Sequence, residues 1–312
     1  MKIFLLISFF FVLSCSDNQR NIEYELSDFE VDRFEKKFFQ TDDDSLLNLI
    51  EEYPFLFSKR FNVEDWKAIK SDTIRNDIFK RTLTVFNDFK TIENGIKKIF
   101  KQTKSYFPKF IPPKLITLNN GIDYEYKVID SDSLILLSLD CYLGQNEFYK
   151  NIPKHVSSLM YPNFITVDIS EMISSRFIQQ PIDRKFISKI IYYGKLLFFM
   201  NLISGIEPTK ALGYDKSQED WVKENEKEIW EYFVSNEILF STKSSLDYRF
   251  LANAPFSKFG LTIDFESPPM VGRYIGYKIV KSYYDKKIVN VVDLLKQDNY
   301  KLYLMSNYKP KK

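Results

Sequence analysis

The chain has 312 residues, and its 44 lysines and arginines nearly balance 42 aspartates and glutamates, which leaves a net charge of +2. This balance, without any long basic block, excludes the electrostatic footprint of a nucleic-acid-binding protein. A single histidine, His155, and two cysteines cannot form the usual zinc sites, and the sequence holds no Gly-x-Ser-x-Gly, Gly-x-Gly-x-x-Gly or phosphate-binding Gly-Lys-Ser/Thr motif.

The N-terminus has the pattern of a bacterial secretion signal. Lys2 supplies a positive charge, and residues 3–13 form an almost unbroken apolar run, shorter than the roughly 20 residues that span a bilayer. The run ends in Leu-Ser-Cys15, which resembles a lipobox, the motif whose cysteine receives acyl chains such as palmitate. We therefore predict a signal peptide over residues 1–14 and lipidation of Cys15. An ordinary cleaved signal peptide with an incidental cysteine is the alternative.

The residues after Cys15 are polar, and we predict that residues 15–30 form a tether. Ser16, rather than Asp, follows the cysteine, so the inner-membrane retention signal of enteric bacteria is absent, which favours the outer membrane and a periplasm-facing protein. With Cys15 lipidated, Cys141 is the only thiol left, and we expect it to be a small buried hydrophobe. Residues 31–312 are predicted to form a single globular domain.

The mature chain reads as helices around a small sheet. Residues 34–107 show mainly helical periodicity, and three strands are predicted at 115–118, 124–128 and 134–139, with Asn120-Gly121 as a hairpin turn between the first two. The predicted fold class is α+β, helix-rich, with a small central sheet. Further helices are predicted at 168–178, at 186–200 after Asp183, from a capping box at 217–220, after Pro268-Pro269 and from Asn290 to Leu295.

The segment 186–200 is apolar nearly all round. This is typical of a helix that is surrounded by protein on all sides. A second membrane span is the rival interpretation, but Lys189, Gly194 and Lys195 within the segment disfavour it. We therefore predict a buried helix here.

Several stretches have distinctive sequences. They are the aromatic run at 229–233, Ala-Pro-Phe-Ser-Lys-Phe at 254–259, Leu-Asp-Cys-Tyr-Leu-Gly at 139–144, Tyr-Tyr-Gly-Lys at 192–195, and residues 272–280. Together they resemble the gliding-motility lipoprotein GldB family of the Bacteroidetes. The resemblance implies a role in surface gliding and in the secretion apparatus coupled to it, with other proteins of that machinery as partners.

That family is similar in turn to predicted zinc proteases, in which a buried helix after a small sheet carries HExxH. Here the corresponding helix holds Tyr192, Tyr193, Gly194 and Lys195 and no histidine. Without paired imidazoles the helix cannot hold zinc or acidify a zinc-bound water. The resemblance therefore implies a zincin-like scaffold with a degenerate active-site helix, a pseudo-protease without metal or other cofactor. Lys195 would then place a positive charge near the position of the lost metal.

The block 254–259 is the main candidate for partner binding. Pro255 and Phe256 would form an exposed apolar knob, with Lys258 beside it. The alternative is a rigid loop that holds its aromatic side chains in the core, where large aromatics usually lie.

Two acids offer a candidate catalytic pair. Asp264 and Glu266 alternate in a strand-like stretch and would point to the same side, as the carboxylates of a glycosidase must. The structural alternative is that they anchor a loop and cap the following helix, with Arg273 as their ion-pair partner. His155 lacks an accompanying nucleophile elbow and is expected to be a surface or core residue.

The sequence leaves distinct functional classes open. The first is a non-enzymatic component of an envelope machine that binds proteins from a lipid anchor. The second is a cryptic envelope hydrolase that acts on peptidoglycan or protein through carboxylates. A third is binding of a small ligand in the relic of the protease cleft.

Overall fold

The computed structural model describes residues 29–262 and 264–310. The predicted signal peptide, the lipidation site Cys15 and residues 16–28 of the predicted tether lie outside the described residues. Phe29, the first residue described, is buried and packs edge-on against Phe100 with ring centroids 5.2 Å apart. Phe29, which lies within the predicted tether, therefore belongs to the hydrophobic core.

The central sheet contains four short strands: β1 (Val31–Arg33), β2 (Lys114–Leu118), β3 (Val128–Asp130) and β4 (Leu134–Ser138). Their order across the sheet is β1-β2-β4-β3. β1, β2 and β4 run parallel, and β3 pairs antiparallel with β4. The sheet is therefore mixed, with one reversed strand at its edge.

The sheet separates two apolar layers because successive side chains of a strand point to opposite faces. Leu115 and Ile135 point into the main core. Ile116 and Leu136 point the other way, into a smaller cluster around Phe38. The N-terminal helices cover this second face.

Five helices lie between β1 and β2 and confirm the helical periodicity of this region. Asp72 begins one of them as predicted, since its side chain accepts a hydrogen bond from the backbone N–H of Arg75 at 2.8 Å. The five helices are α1 (Phe34–Gln40), α2 (Leu46–Glu52), α3 (Val63–Ser71), α4 (Thr73–Val85) and α5 (Lys90–Tyr106).

The predicted hairpin at Asn120-Gly121 is wrong. β2 pairs in parallel with β4, and the predicted strand at 124–128 is a 3-10 turn, Tyr124–Tyr126, that precedes β3. The turn is held instead by the buried Asp140, whose carboxylate accepts hydrogen bonds from the N–H groups of Asn120 (3.1 Å) and of the next two residues (both 2.8 Å). Burial nevertheless raises the pKa of the Asp140 carboxyl to about 6.

The rest of the chain is helical apart from its loops. The helix predicted at 168–178 begins earlier, the capping box belongs to Asp215 and Gln218 rather than to 217–220, and a last helix after Asn290–Leu295 was not predicted. Within the described residues after β4, the helices are α6 (Lys154–Ser157), α7 (Phe164–Ser175), α8 (Phe186–Ser204), α9 (Pro208–Ala211), α10 (Lys216–Glu224), α11 (Glu226–Ser235), α12 (Ser245–Phe250), α13 (Val271–Lys286), α14 (Val291–Lys296) and α15 (Asn299–Ser306).

Helix α8 is the central element of the main core. Among the helices that the structure describes, it alone has the length and apolar character of a membrane span. Most of its residues are buried among α5, α7, α13 and α15, which confirms the prediction of a helix surrounded by protein.

Helices α8 and α13 cross with their backbones in contact. A Cβ atom on Gly276 would lie 1.7 Å from the carbonyl oxygen of Ile190, and one on Gly194 would lie 2.2 Å from the carbonyl carbon of Gly276. Only glycine fits at these two positions. The crossing fixes how α13 lies against α8, and so shapes the cleft described next.

Candidate functional site

The four residues of the predicted degenerate active-site helix point in different directions. Tyr192 and Tyr193 border a cleft at the surface of α8, with ring centroids 5.3 Å apart. Gly194 faces α13, as described above. Lys195 points away from the cleft, toward α14. The cleft therefore receives only the two tyrosines of this set.

Lys195 is a buried structural residue. Its side chain is 2% exposed, and its ammonium donates hydrogen bonds to the carbonyl oxygens of Leu295 (3.2 Å) and Gln297 (2.5 Å) at the end of α14. A cation suits this position because the C-terminus of a helix carries partial negative charge. Burial lowers the pKa of the Lys195 ammonium to about 8.

No group of three or more His, Cys, Asp or Glu side chains within residues 29–262 and 264–310 has the arrangement of a metal site. Cys141 is a free, buried thiol, as expected, and burial raises its pKa. His155 lies in the short helix α6, where its backbone carbonyl accepts a hydrogen bond from Asn253.

The cleft consists of two chambers that meet at Tyr193 and Arg273. The outer chamber, about 780 Å³, lies between residues 180–184, α8 and α12. The inner chamber, about 290 Å³, lies between α7 and α8. The volume of the outer chamber falls in the size range of small-ligand sites.

A three-residue contact separates the chambers. The Arg273 guanidinium lies 4.0 Å from the ring centroid of Tyr193, and its Nη1 lies 3.5 Å from Oε1 of Glu171. Its Nε also donates to the carbonyl oxygen of Leu251 at 2.7 Å. The expected pairing of Arg273 with Asp264 and Glu266 is wrong, because the helix turns the arginine toward α7.

The inner chamber contains a second polar group that sequence reasoning missed. Asp168 accepts a hydrogen bond from Tyr142 at 2.6 Å and forms an ion pair with Lys127, also at 2.6 Å. Burial and the adjacent Asp168 charge raise the pKa of Tyr142 well above its usual value. Tyr142 belongs to the Leu-Asp-Cys-Tyr-Leu-Gly stretch. That stretch was the one feature of the sequence that could have pointed to this polar group.

The outer chamber is lined by three cations and two acids. Both acids already have partners within the protein: Asp183 accepts hydrogen bonds from the Lys185 N–H and the Ser188 hydroxyl, and Asp247 forms an ion pair with Lys189. The remaining cations of the lining are Arg184 and Arg273. The chamber therefore has a polar, mildly basic wall over a tyrosine floor.

The block 254–259 follows residues that line the cleft, and we call it the rim of the cleft. Residues 252 and 253 line the two chambers, and the block follows them directly. Pro255 is exposed, Phe256 is partly buried, and the Lys258 ammonium donates to the Tyr248 hydroxyl at 3.0 Å, on the wall of the outer chamber. Of the three sequence-predicted partner residues, Lys258 contacts a residue that lines the outer chamber, and Pro255 and Phe256 precede it in the same loop.

The same block also has a structural role. The buried Ser257 accepts a hydrogen bond from the Val271 N–H through its hydroxyl, and its carbonyl accepts one from the Ser267 hydroxyl at 2.9 Å. The side chain of Phe259 packs against Phe250 and Tyr232. The interpretation as an exposed partner-binding knob therefore fits Pro255, and the interpretation as a rigid structural loop fits Ser257 and Phe259.

Asp264 and Glu266 do not form a strand. They lie in a 3-10 turn, Asp264–Glu266, and the Asp264 carboxylate accepts hydrogen bonds from the N–H groups of Gly260 (2.8 Å) and Leu261 (3.2 Å). Glu266 is exposed, and neither acid lines the cleft. Loop anchoring, the structural alternative, describes Asp264.

Comparison with models of protein families identifies the family of this chain. The family model GldB_lipo, described as gliding motility protein GldB, matches residues 15–310. This protein belongs to the GldB family of gliding motility lipoproteins. Comparison with curated proteins and with solved structures finds no match. As a GldB-family protein it has a role in gliding motility and is a lipid-anchored protein of the cell envelope.

Four of the five stretches by which the sequence resembles GldB lie at or next to the cleft, whereas no residue of the aromatic run 229–233 lines either chamber. Tyr142 contacts Asp168 in the inner chamber, Tyr193 and Arg273 separate the chambers, and residues 254–259 lie at the rim. These stretches are far apart in the sequence. Their convergence makes the cleft and its rim the candidate functional site of this GldB-family protein.

Proposed function

We propose that this protein is a non-enzymatic component of the gliding machinery and of the secretion apparatus coupled to it. It is anchored through Cys15, faces the periplasm from the outer membrane, and binds other proteins of the machinery at the rim of the cleft. The observation that carries this proposal is that four of the five family-like stretches lie at or next to one cleft, and that one of them, the block 254–259, carries the exposed Pro255.

The chemistry of the cleft supports contact rather than catalysis. Helix α8 offers Tyr192 and Tyr193 to the cleft, and tyrosine provides large contact area with a polar hydroxyl group, as at protein interfaces. Gly194 and Lys195 are used for packing and for capping α14. The two acids of the outer chamber are occupied by partners within the protein.

We further propose a zincin-like scaffold whose chemistry has been lost. The order of elements supports it, since a mixed sheet with an antiparallel edge strand precedes the buried helix α8. In this pseudo-protease the tyrosines of α8 occupy the surface where a metalloprotease presents its ligands.

A cryptic hydrolase is the second candidate, and one observation favours it. Asp168 and Glu171 lie one turn apart on α7 and both line the inner chamber. Two carboxylates in one cavity can serve as acid and base. This pair replaces Asp264 and Glu266 as the carboxylates that such an enzyme would use.

Crosslinking in the living host tests the proposal. A photo-crosslinking residue at position 255 is expected to capture proteins of the gliding or secretion machinery, whereas one at Ile74, which is also exposed but lies on α4, captures none of them. Phe256→Ala should lower the yield at position 255 by about tenfold or more if Phe256 is a central contact. Equal crosslinking from positions 255 and 74 would contradict the proposal.

A further inference from the structure

A second, apolar groove lies away from the cleft. It has a volume of about 860 Å³ and runs between the end of α5 and the end of α7. Phe107 stacks on Phe177 in its floor, with ring centroids 3.8 Å apart, and Phe110 packs beside them. Ile111, on its wall, is 79% exposed. We name this feature the basal groove, defined by Phe107, Phe110, Ile111, Pro112, Phe177 and Val292.

The basal groove lies where the chain enters the domain. Lys114 and Ser133, at or just before the starts of β2 and β4, line it. They also line a neighbouring cavity whose wall includes Phe29 and Glu30, the first residues described. Because the three parallel strands begin at one edge of the sheet, the groove and the entry point of the tether lie at the same pole of the molecule.

The rim of the groove is basic. Lys109 and Lys114 are exposed, and neither ammonium has a hydrogen-bond or ion-pair partner among residues 29–262 and 264–310. Arg176 is held by Asp130, and Asp132 is the one acid of the lining within the described part of the chain. An apolar floor with a basic rim is the pattern of surfaces that rest on anionic lipid.

We propose that the basal groove and its two lysines rest on the membrane that carries the lipid anchor. Ile111 enters the boundary between headgroups and acyl chains, and Lys109 and Lys114 meet anionic headgroups. The inference rests on the proposed anchoring at Cys15: residues 15–28 span at most about 50 Å when fully extended, which keeps this pole near the bilayer. The contact orients the domain relative to the membrane.

Vesicle binding of the mature chain with Cys15→Ser tests this inference, because it removes the contribution of the anchor. The protein should bind vesicles that contain phosphatidylglycerol and phosphatidylethanolamine more tightly than vesicles of phosphatidylcholine, and added salt should weaken binding. Ile111→Asp should lower the partition coefficient by about tenfold or more, and each of Lys109→Glu and Lys114→Glu by about fivefold or more.

Ile74→Asp is the matched control. Ile74 is 65% exposed and lies next to Arg75, whose guanidinium lies beside Gly121, beyond the other end of β2. The Ile74→Asp variant should bind vesicles as tightly as the protein without this substitution. All variants should unfold at the same thermal midpoint as that protein. Equal binding by the Ile111→Asp and Ile74→Asp proteins would overturn the inference.

Two other occupants of the groove would also overturn it. If residues 16–28 cover the groove, removing them should increase vesicle binding through newly exposed Ile111. If another protein occupies it, a purified gliding protein would bind while vesicles do not. Absence of vesicle binding combined with rim-specific crosslinking at position 255 would overturn this inference and leave the proposed function standing.

Discussion

Gly194 and Gly276 set the distance between α8 and α13, and their effect is measurable. Gly276→Ala should lower the free energy of unfolding by about 3 kcal/mol or more, because its Cβ would meet the Ile190 carbonyl oxygen at 1.7 Å and the backbones must separate. The gain in helix propensity, about 1 kcal/mol, is smaller than this cost. Urea unfolding measures the difference.

Gly95→Ala is the control for this prediction. Gly95 is also inside a helix, α5, but its Cβ would meet only the Thr166 methyl group, at 2.8 Å, and that side chain can move. The change should be within about 1 kcal/mol of neutral. Equal losses for the two variants would contradict the account of the crossing.

Lys195 should give the protein a specific pH dependence. Its pKa is about 8 in the folded protein and near 10.5 when unfolded, so between these values the unfolded chain binds more protons. Burying the charged ammonium of Lys195 therefore lowers the stability of the protein below about pH 8, by roughly 3 kcal/mol in total. This loss of stability diminishes as pH rises from 8 and is absent above about pH 10.5. Denaturant titrations at pH 7 and pH 9.5 measure part of this change.

Lys195→Met removes the titrating group and keeps most of the side-chain volume. Relative to this variant, the protein with Lys195 should become more stable as pH rises from 7 to 9.5. The difference between the two proteins cancels the effect of the tyrosines, which also titrate at high pH. A constant difference across this range would show that Lys195 is not buried as described.

Single residues were predictable where one physical property decides their position. Cys141 was expected to be a buried hydrophobe because it has no partner thiol, and it is buried. The roles of Lys195 and Arg273 were not predictable, because they depend on α14 and α7, which lie far away in the sequence. The capping of a distant helix by a buried lysine leaves no local pattern.

At the scale of elements, the loop 254–259 and helix α13 depend on each other. Met270, before the helix, has a positive φ and no side-chain cap, and the Ser257 hydroxyl accepts from the Val271 N–H at 3.3 Å. Ser257→Ala should lower the free energy of unfolding by about 1 kcal/mol, as loss of a helix cap does.

Pro255→Ala, two residues away, is the control because Pro255 is exposed. It should change stability little, within about 0.5 kcal/mol. Thermal unfolding of both variants separates the structural part of the block from the part proposed to bind a partner. A larger loss of stability for Pro255→Ala than for Ser257→Ala would contradict the assignment of Ser257 to the structural part of the block and of Pro255 to the binding part.

Elements with a long apolar repeat were predicted well, and so were the short elements β2, β4 and α14, whereas the two three-residue strands were not. α8 and α13 were identified because their periodicity extends over several turns. β1 was missed because three residues, Val-Asp-Arg, show no alternation. The hairpin was wrong because Asn120-Gly121 does have turn chemistry, but a buried carboxylate, Asp140, fixes that turn and leaves β2 free to pair with β4.

At the scale of the whole molecule, the α+β, helix-rich class followed from the predicted helices and strands, and the buried central helix followed from its apolar character on all sides. The cleft did not, because its walls come from segments that are separated by more than a hundred residues. The family resemblance identified the distinctive stretches of the sequence, and the structure shows which of them lie near one another. The zincin-like scaffold remains a proposal that rests on the element order.

The most direct test of the proposed function is made in the host. Depletion of the protein, scored for colony spreading and for secretion of surface adhesins, should abolish both. A copy with Phe256→Ala and Lys258→Glu should fail to restore them at normal protein level, whereas a copy with Glu171→Gln should restore both. Normal spreading and secretion after depletion, or failure of the Glu171→Gln copy alone, would contradict the account and favour the hydrolase.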